Sequence, residues 1–92
     1  MSRVTWSRRA LSDINTIRRR FTNKDRAKAT GRRLFEIASH LEQHPELGRV
    51  GVVPGTRELI VGGTPYVIIY AVSDDQADVA VLGVVDGRSD WR

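Results

Sequence analysis

Pro45 divides this chain into two stretches with different hydrophobic rhythms, and that break limits the folds open to it. The residue before a proline is pushed out of the helical region, so a helix running toward position 45 must stop there. Ahead of the break, apolar residues recur every three or four positions. Behind it they gather in short runs rich in Val, Ile and Tyr. With 92 residues there is room for one core and hence one domain over 1–92. Helices first and strands second, in so short a chain, point to an α+β arrangement.

The punctuation supports this division. Val4-Thr5-Trp6 is long enough only for a small edge strand, and Ser7 can cap a helix that follows. Leu11, Ile14, Ile17 or Arg18, and Phe21 then give one apolar stripe. Thr22 or Asn23 caps a second helix with Ala27, Leu34, Ile37, Ala38 and Leu41 turned inward. Gly31 interrupts that helix at a cost of about 1 kcal/mol relative to alanine, acceptable where the two helices approach closely. After Pro45, the runs 57–61, 66–72 and 78–85 are separated by Gly62-Gly63-Thr64-Pro65 and Asp74-Asp75-Gln76. Three strands with short links form an antiparallel meander. The expected fold is β-α-α-β-β-β, a helical hairpin packed on a small twisted antiparallel sheet.

Alternation along residues 66–72 assigns the faces. Tyr66, Ile68, Tyr70 and Val72 are expected against the helices, with Val67, Ile69 and Ala71 on the other side. That second face is unusually apolar for an uncovered sheet, which suggests that a partner chain lies on it.

Charge is distributed unevenly. The net charge is +4, yet residues 1–43 hold 11 basic and 4 acidic side chains, and residues 44–92 hold 4 and 7. Thirteen of the fifteen cations are arginine, suited to bidentate contact with phosphate or carboxylate. Arg18, Arg19, Arg20, Arg32 and Arg33 therefore form a candidate surface for nucleic acid or another acidic target. The chain has no cysteine, which excludes disulfides and thiolate zinc sites and fits a reducing cytoplasm. No apolar run approaches the ~18–20 residues of a membrane span, and the first residues lack the apolar core of a secretory leader. A cytoplasmic protein without a membrane partner is expected.

Few residues can support chemistry. His40 and His44 are four apart but lack the zinc-protease order and a third ligand, so neither a metal nor any other cofactor is expected. The serines sit at caps and turns, and no glycine-rich loop joins a strand to a helix. One cluster remains, at the ends of strands. Arg57 and Glu58 open one strand, while Asp86, Arg88 and Trp91 follow another. Metal-free RNA cleavage needs a base, an acid and a cation for the phosphorane charge, which carboxylates and arginines can supply. Asp-Gly is also a common turn pair, and Arg88 with a nearby aspartate is also an ordinary surface ion pair.

Several motifs, taken in order, carry a family resemblance. They are Trp6 to Ile14, His44-Pro45-Glu46-Leu47-Gly48-Arg49, Gly55-Thr56-Arg57-Glu58-Leu59, Pro65 to Tyr70, and Val84 to Trp91. Together they resemble the RelE/ParE superfamily of type II toxin–antitoxin toxins over essentially the whole chain. The resemblance implies a growth-inhibiting toxin of the plasmid-stabilising kind, neutralised by a small cognate antitoxin with an acidic toxin-binding segment. It leans to a RelE-like, metal-independent endoribonuclease that cuts mRNA on the ribosome and inhibits translation. In that case Arg57 and Arg88 would stabilise charge, Glu58 or Asp86 would act as base, and Trp91 would stand nearby. The alternative is a ParE-like toxin that poisons DNA gyrase by binding. Val67 stands where RelE-like sequences often carry arginine, and Asp86 where related toxins often carry histidine. Val67, Ile69 and Ala71 would meet the antitoxin.

Overall fold

The computed structural model describes residues 1–89, so Trp91 lies outside the described residues. In chain order the elements are β1 (Arg3–Trp6), α1 (Arg8–Arg19), α2 (Lys24–Ser39), a 3₁₀ turn (His40–Glu42), β2 (Arg49–Val50), β3 (Arg57–Ile60), β4 (Tyr66–Val72) and β5 (Asp78–Asp86). Both helices start where local chemistry sets them. The Ser7 hydroxyl accepts the Ala10 N–H at 3.0 Å, and Asn23 Oδ1 accepts the N–H groups of Asp25 and Arg26 at 2.9 and 3.1 Å. The helical path ends in the 3₁₀ turn just before Pro45.

The strands lie in the order β1-β5-β4-β3-β2. The expected meander is there, since β3, β4 and β5 pair antiparallel in sequence, and two-residue β2 extends it along β3. One edge differs from an all-antiparallel sheet: β1 runs parallel to β5, with Val4 beside Val79 and Trp6 beside Val81. The sheet is therefore mixed. Two helices between β1 and the meander carry the chain far enough to return in the parallel sense.

One core lies between the helices and the sheet. It joins Ala10, Ile14 and Ile17 of α1, Leu34 and Ala38 of α2, and Leu41 to Leu59, Tyr66, Ile68, Tyr70, Val79, Val81 and Val84. The α1 stripe is rotated from its expected position. Leu11 is 43% exposed, and small Ala10 turns inward, allowing α1 to approach the sheet closely. Ile37 is only partly buried at the core's margin. Trp6 of β1, which packs on the core's margin, meets Phe35 of α2 with ring centroids 4.6 Å apart and planes tilted by 50°. Gly31 does mark a close approach between the helices, because a Cβ there would lie 3.3 Å from Cδ of Arg18.

Candidate functional site

Charged residues expected to form one site occupy opposite corners of the sheet. Arg57 pairs across from Tyr70, whereas Asp86 pairs across from Tyr66. Those registers are about 13 Å apart along β4 at ~3.3 Å per residue, and β4 itself stands between β3 and β5. Arg57 and Glu58 also face opposite sides, since strand side chains alternate. Arg57 shares the helix-covered face of Tyr70, and Glu58 shares the open face of Ile69. Among the described residues, Arg57 and Glu58 therefore do not converge with Asp86.

Each candidate is engaged locally instead. Arg57 Nη1 donates to the Gly48 carbonyl at 2.7 Å. Tyr70 Oη donates to the Pro45 carbonyl and accepts the Gly48 N–H, both at 2.8 Å. Burial raises the Tyr70 pKa above the usual tyrosine value, against the opposing pull of the Gly48 N–H. A Cβ on Gly48 would sit 2.8 Å from the Glu58 carbonyl, so this approach requires glycine. Arg57 and Tyr70 thus pin the turn after Pro45. Tyr70 was expected only as core, and nothing in its spacing announced the hydroxyl's role.

Glu58 is 2% exposed. Its Oε1 accepts Nε and Nη2 of Arg49 at 3.0 and 2.9 Å, and its Oε2 accepts the Val52 N–H at 3.2 Å. This carboxylate fastens the 49–52 segment to β3. Asp86 and Arg88 also satisfy each other, although the Arg88 side chain is 77% exposed. Arg88 Nε and Nη2 lie 3.0 and 2.8 Å from the two carboxylate oxygens, and the Arg88 N–H also donates to Oδ1. The Arg88 side-chain hydrogen bonds hold the Asp86 pKa down at about 2. So acidic a carboxyl is a weak proton acceptor at neutral pH, and Arg88 already has its anion.

The open face presents Val67, Ile69 and Ala71 of β4 beside Val85 and Ala80 of β5, with Ile60 of β3 beyond them. Val67 is buried in the isolated chain, 5% exposed, with Gly87 lying against it. Ile69 and Ala71 are half-buried, and Ile60 is 56% exposed. Asp13, which the sequence did not single out, links the layers. Its Oδ2 accepts the Val84 N–H at 3.0 Å, beside an irregularity in the β4–β5 register.

The helical cations also divide by role. Arg33 donates to the Gly62 carbonyl at 3.0 and 3.3 Å, tying α2 to the β3–β4 link. Arg18 lays its stem over Gly31, and the charge of Arg20 reaches Asp86. Arg19 and Arg32 are exposed. Among the described residues, no three His, Asp or Glu side chains gather as metal ligands, and no helix is long and apolar enough to cross a membrane.

The family described as "ParE toxin of type II toxin-antitoxin system, parDE" matches residues 4–91. The Y4kP protein of Sinorhizobium fredii, provisionally named a toxin, is 33% identical over 92 residues, covering 97% of this chain and 92% of its own length. Toxin RelE2 of Caulobacter vibrioides is 38% identical over 76 residues, covering 80% of this chain and 84% of its own. A chain in the solved chromosomal ParDE TA system from P. aeruginosa superposes with a TM-score of 0.84 at 22% identity. That match covers 94% of this chain and 96% of the other, and it establishes the shared fold.

Proposed function

The chain belongs to the ParE toxin family of type II toxin–antitoxin systems, and we propose that it arrests growth by docking on DNA gyrase rather than by cutting ribosome-bound message. The observation that carries this reading is the separation and closure of its charged pairs. Glu58 clasps Arg49 and the Val52 N–H on the open face, while Asp86 and Arg88 satisfy each other at a far corner. Cutting RNA at one phosphate needs base, acid and cation within hydrogen-bond reach of the same atoms. Here Arg57 and Asp86 are separated by the width of β4 and most of its length. Docking needs no such convergence.

As a toxin of this kind the chain has a cognate antitoxin. We place that partner on the open face, where Ile60, Ile69 and Ala71 offer apolar surface and Val67 underlies it. An acidic segment of the antitoxin would be drawn to the basic first half, and the complex would act in the cytoplasm.

Purified gyrase supplied with relaxed plasmid tests the target. Adding the chain should suppress supercoiling and trap gyrase–DNA complexes, and adding the antitoxin should reverse both effects. Supercoiling that proceeds unchanged at saturating toxin would remove gyrase as the target.

A further inference from the structure

We propose that the outer groove between the C-terminal end of α1 and the N-terminal end of α2 holds the phosphate backbone of duplex DNA. Asn15, Arg18 and Arg19 face Lys24, Ala27 and Lys28 across a groove of about 320 Å³. Both triplets have the i, i+3, i+4 spacing that puts side chains on one helix face, so the short link at 20–23 aligns the two faces. The groove collects four cations and no carboxylate. Among the described residues, none of those four takes part in an ion pair. Arg32 continues the row from Lys24 and Lys28, each about 6 Å further along α2 at 1.5 Å per residue. Asp25, the acid in the first turn of α2, is not part of the lining.

The lining chooses among anionic partners. A protein segment is anchored by buried apolar and aromatic side chains, and here the groove offers only the methyl of Ala27. Leu11 and Phe35, the exposed large apolar residues of these helices, are not among its lining residues. A single strand is held by bases stacked on aromatic rings, and no aromatic residue lines the groove. Duplex backbone needs neither feature, because its affinity comes from phosphate neutralisation and counterion release. The choice of DNA over an RNA duplex rests on the gyrase reading, since gyrase works on DNA. Recognition of duplex phosphate does not depend on it.

The test is fluorescence anisotropy of a labelled random-sequence DNA duplex titrated with the purified chain at several salt concentrations. Four neutralised phosphates predict a slope of log K against log salt near −3.6, an affinity loss on the order of 100-fold between about 50 and 200 mM. Each of Arg18→Gln, Arg19→Gln, Lys24→Gln and Lys28→Gln should reduce the slope's magnitude by about 1. Arg8→Gln, at the far end of α1, should leave it nearly unchanged. All five residues are exposed, so the thermal midpoint should not move for the Arg8, Arg19, Lys24 or Lys28 variant. Arg18→Gln shortens a stem lying over Gly31 and is compared at temperatures well below its own midpoint, which keeps a loss of binding distinct from a loss of folding. A wild-type slope in the fourfold variant overturns the proposal. So does tighter binding of labelled poly-glutamate, single-stranded DNA or an RNA duplex than of duplex DNA. Binding with the predicted slope by a chain that leaves supercoiling intact would overturn the gyrase reading alone.

Discussion

Arg49 reaches across from β2 to Glu58 on β3 and places two nitrogens, at 3.0 and 2.9 Å, on a single oxygen of a carboxylate that is 2% exposed. The pair spans nine residues of chain and holds a segment that has little other packing: Val50, Val52 and Val53 are 76%, 59% and 49% exposed. Its role follows from this geometry. Glu58 organises the edge of the sheet, and its second oxygen takes the Val52 N–H.

Replacing Glu58 tests that role. Removing one partner of a buried pair costs about 3–5 kcal/mol, but the Arg49 side chain is 52% exposed, and solvent screening reduces the expected loss. Glu58→Gln should therefore destabilise by roughly 1–3 kcal/mol. In a domain of this size that lowers the thermal midpoint by about 4–8 °C per kcal/mol. A catalytic base would instead lose toxicity at an unchanged midpoint. Thermal unfolding followed by circular dichroism distinguishes the two.

Tyr70→Phe should cost about 1–3 kcal/mol, because it leaves the Pro45 carbonyl and the Gly48 N–H without their shared partner. Amide exchange should quicken at 46–48 before it does in β4. The hydroxyl also sets a pH dependence. Its folded pKa is raised, so its contribution is fully present below the unfolded value near 10 and is lost as pH climbs through the higher folded value. The wild type should weaken with pH in that alkaline window more steeply than Tyr70→Phe, as read by denaturant midpoints.

Gly31 of α2 and Gly48 of the turn after Pro45 should respond in opposite ways. Gly48→Ala drives a methyl to 2.8 Å from the Glu58 carbonyl and 2.9 Å from the Tyr70 ring, so backbone and ring must move, at about 1–3 kcal/mol or more. Gly31→Ala meets only the flexible stem of Arg18 at 3.3 Å and gains helix propensity of about 1 kcal/mol. Urea midpoints of the two variants should lie on opposite sides of the wild type, or Gly31→Ala should coincide with it.

Asp86 should titrate at about 2 by carbon-13 NMR of its carboxyl. In Arg88→Ala the value should rise toward the ordinary aspartate range near 4 but stay below it, because the N–H of residue 88 still donates to Oδ1. The folded pKa is depressed, so this pair's stabilisation is present above about 4 and fades as pH falls through about 2. Between pH 5 and 8 it contributes no pH dependence. An Asp86 that titrates near neutrality would restore it as a candidate base.

The parts of this fold that were legible in the sequence are those set by neighbours along the chain. Ser7 and Asn23 cap the helices they precede, Pro45 closes the helical half, and the Gly62–Pro65 link turns β3 into β4. The faces of β4 followed from alternation alone, with Tyr66, Ile68 and Tyr70 inside. What escaped depends on distant partners. Nothing near Val4 signals parallel pairing with Val79, and a stripe containing Leu11 and Ile14 gives small Ala10 no weight until close packing is known. Glu58 at the start of a strand resembles a surface acid, because the arginine that allows its burial lies across the turn. The arrangement of the candidate residues was hidden for the same reason: adjacency of Arg57 and Glu58 in sequence puts them on opposite faces, and the hairpins send Arg57 and Asp86 to opposite ends.

The claim that this toxin binds rather than cuts is tested most directly by primer extension along a message on translating ribosomes after the purified chain is added. The separated pairs Arg49–Glu58 and Asp86–Arg88 predict no new 5′ ends at any codon, even at toxin concentrations that fully suppress gyrase. New ends at the ribosomal A site that disappear with Arg88→Ala would contradict the account.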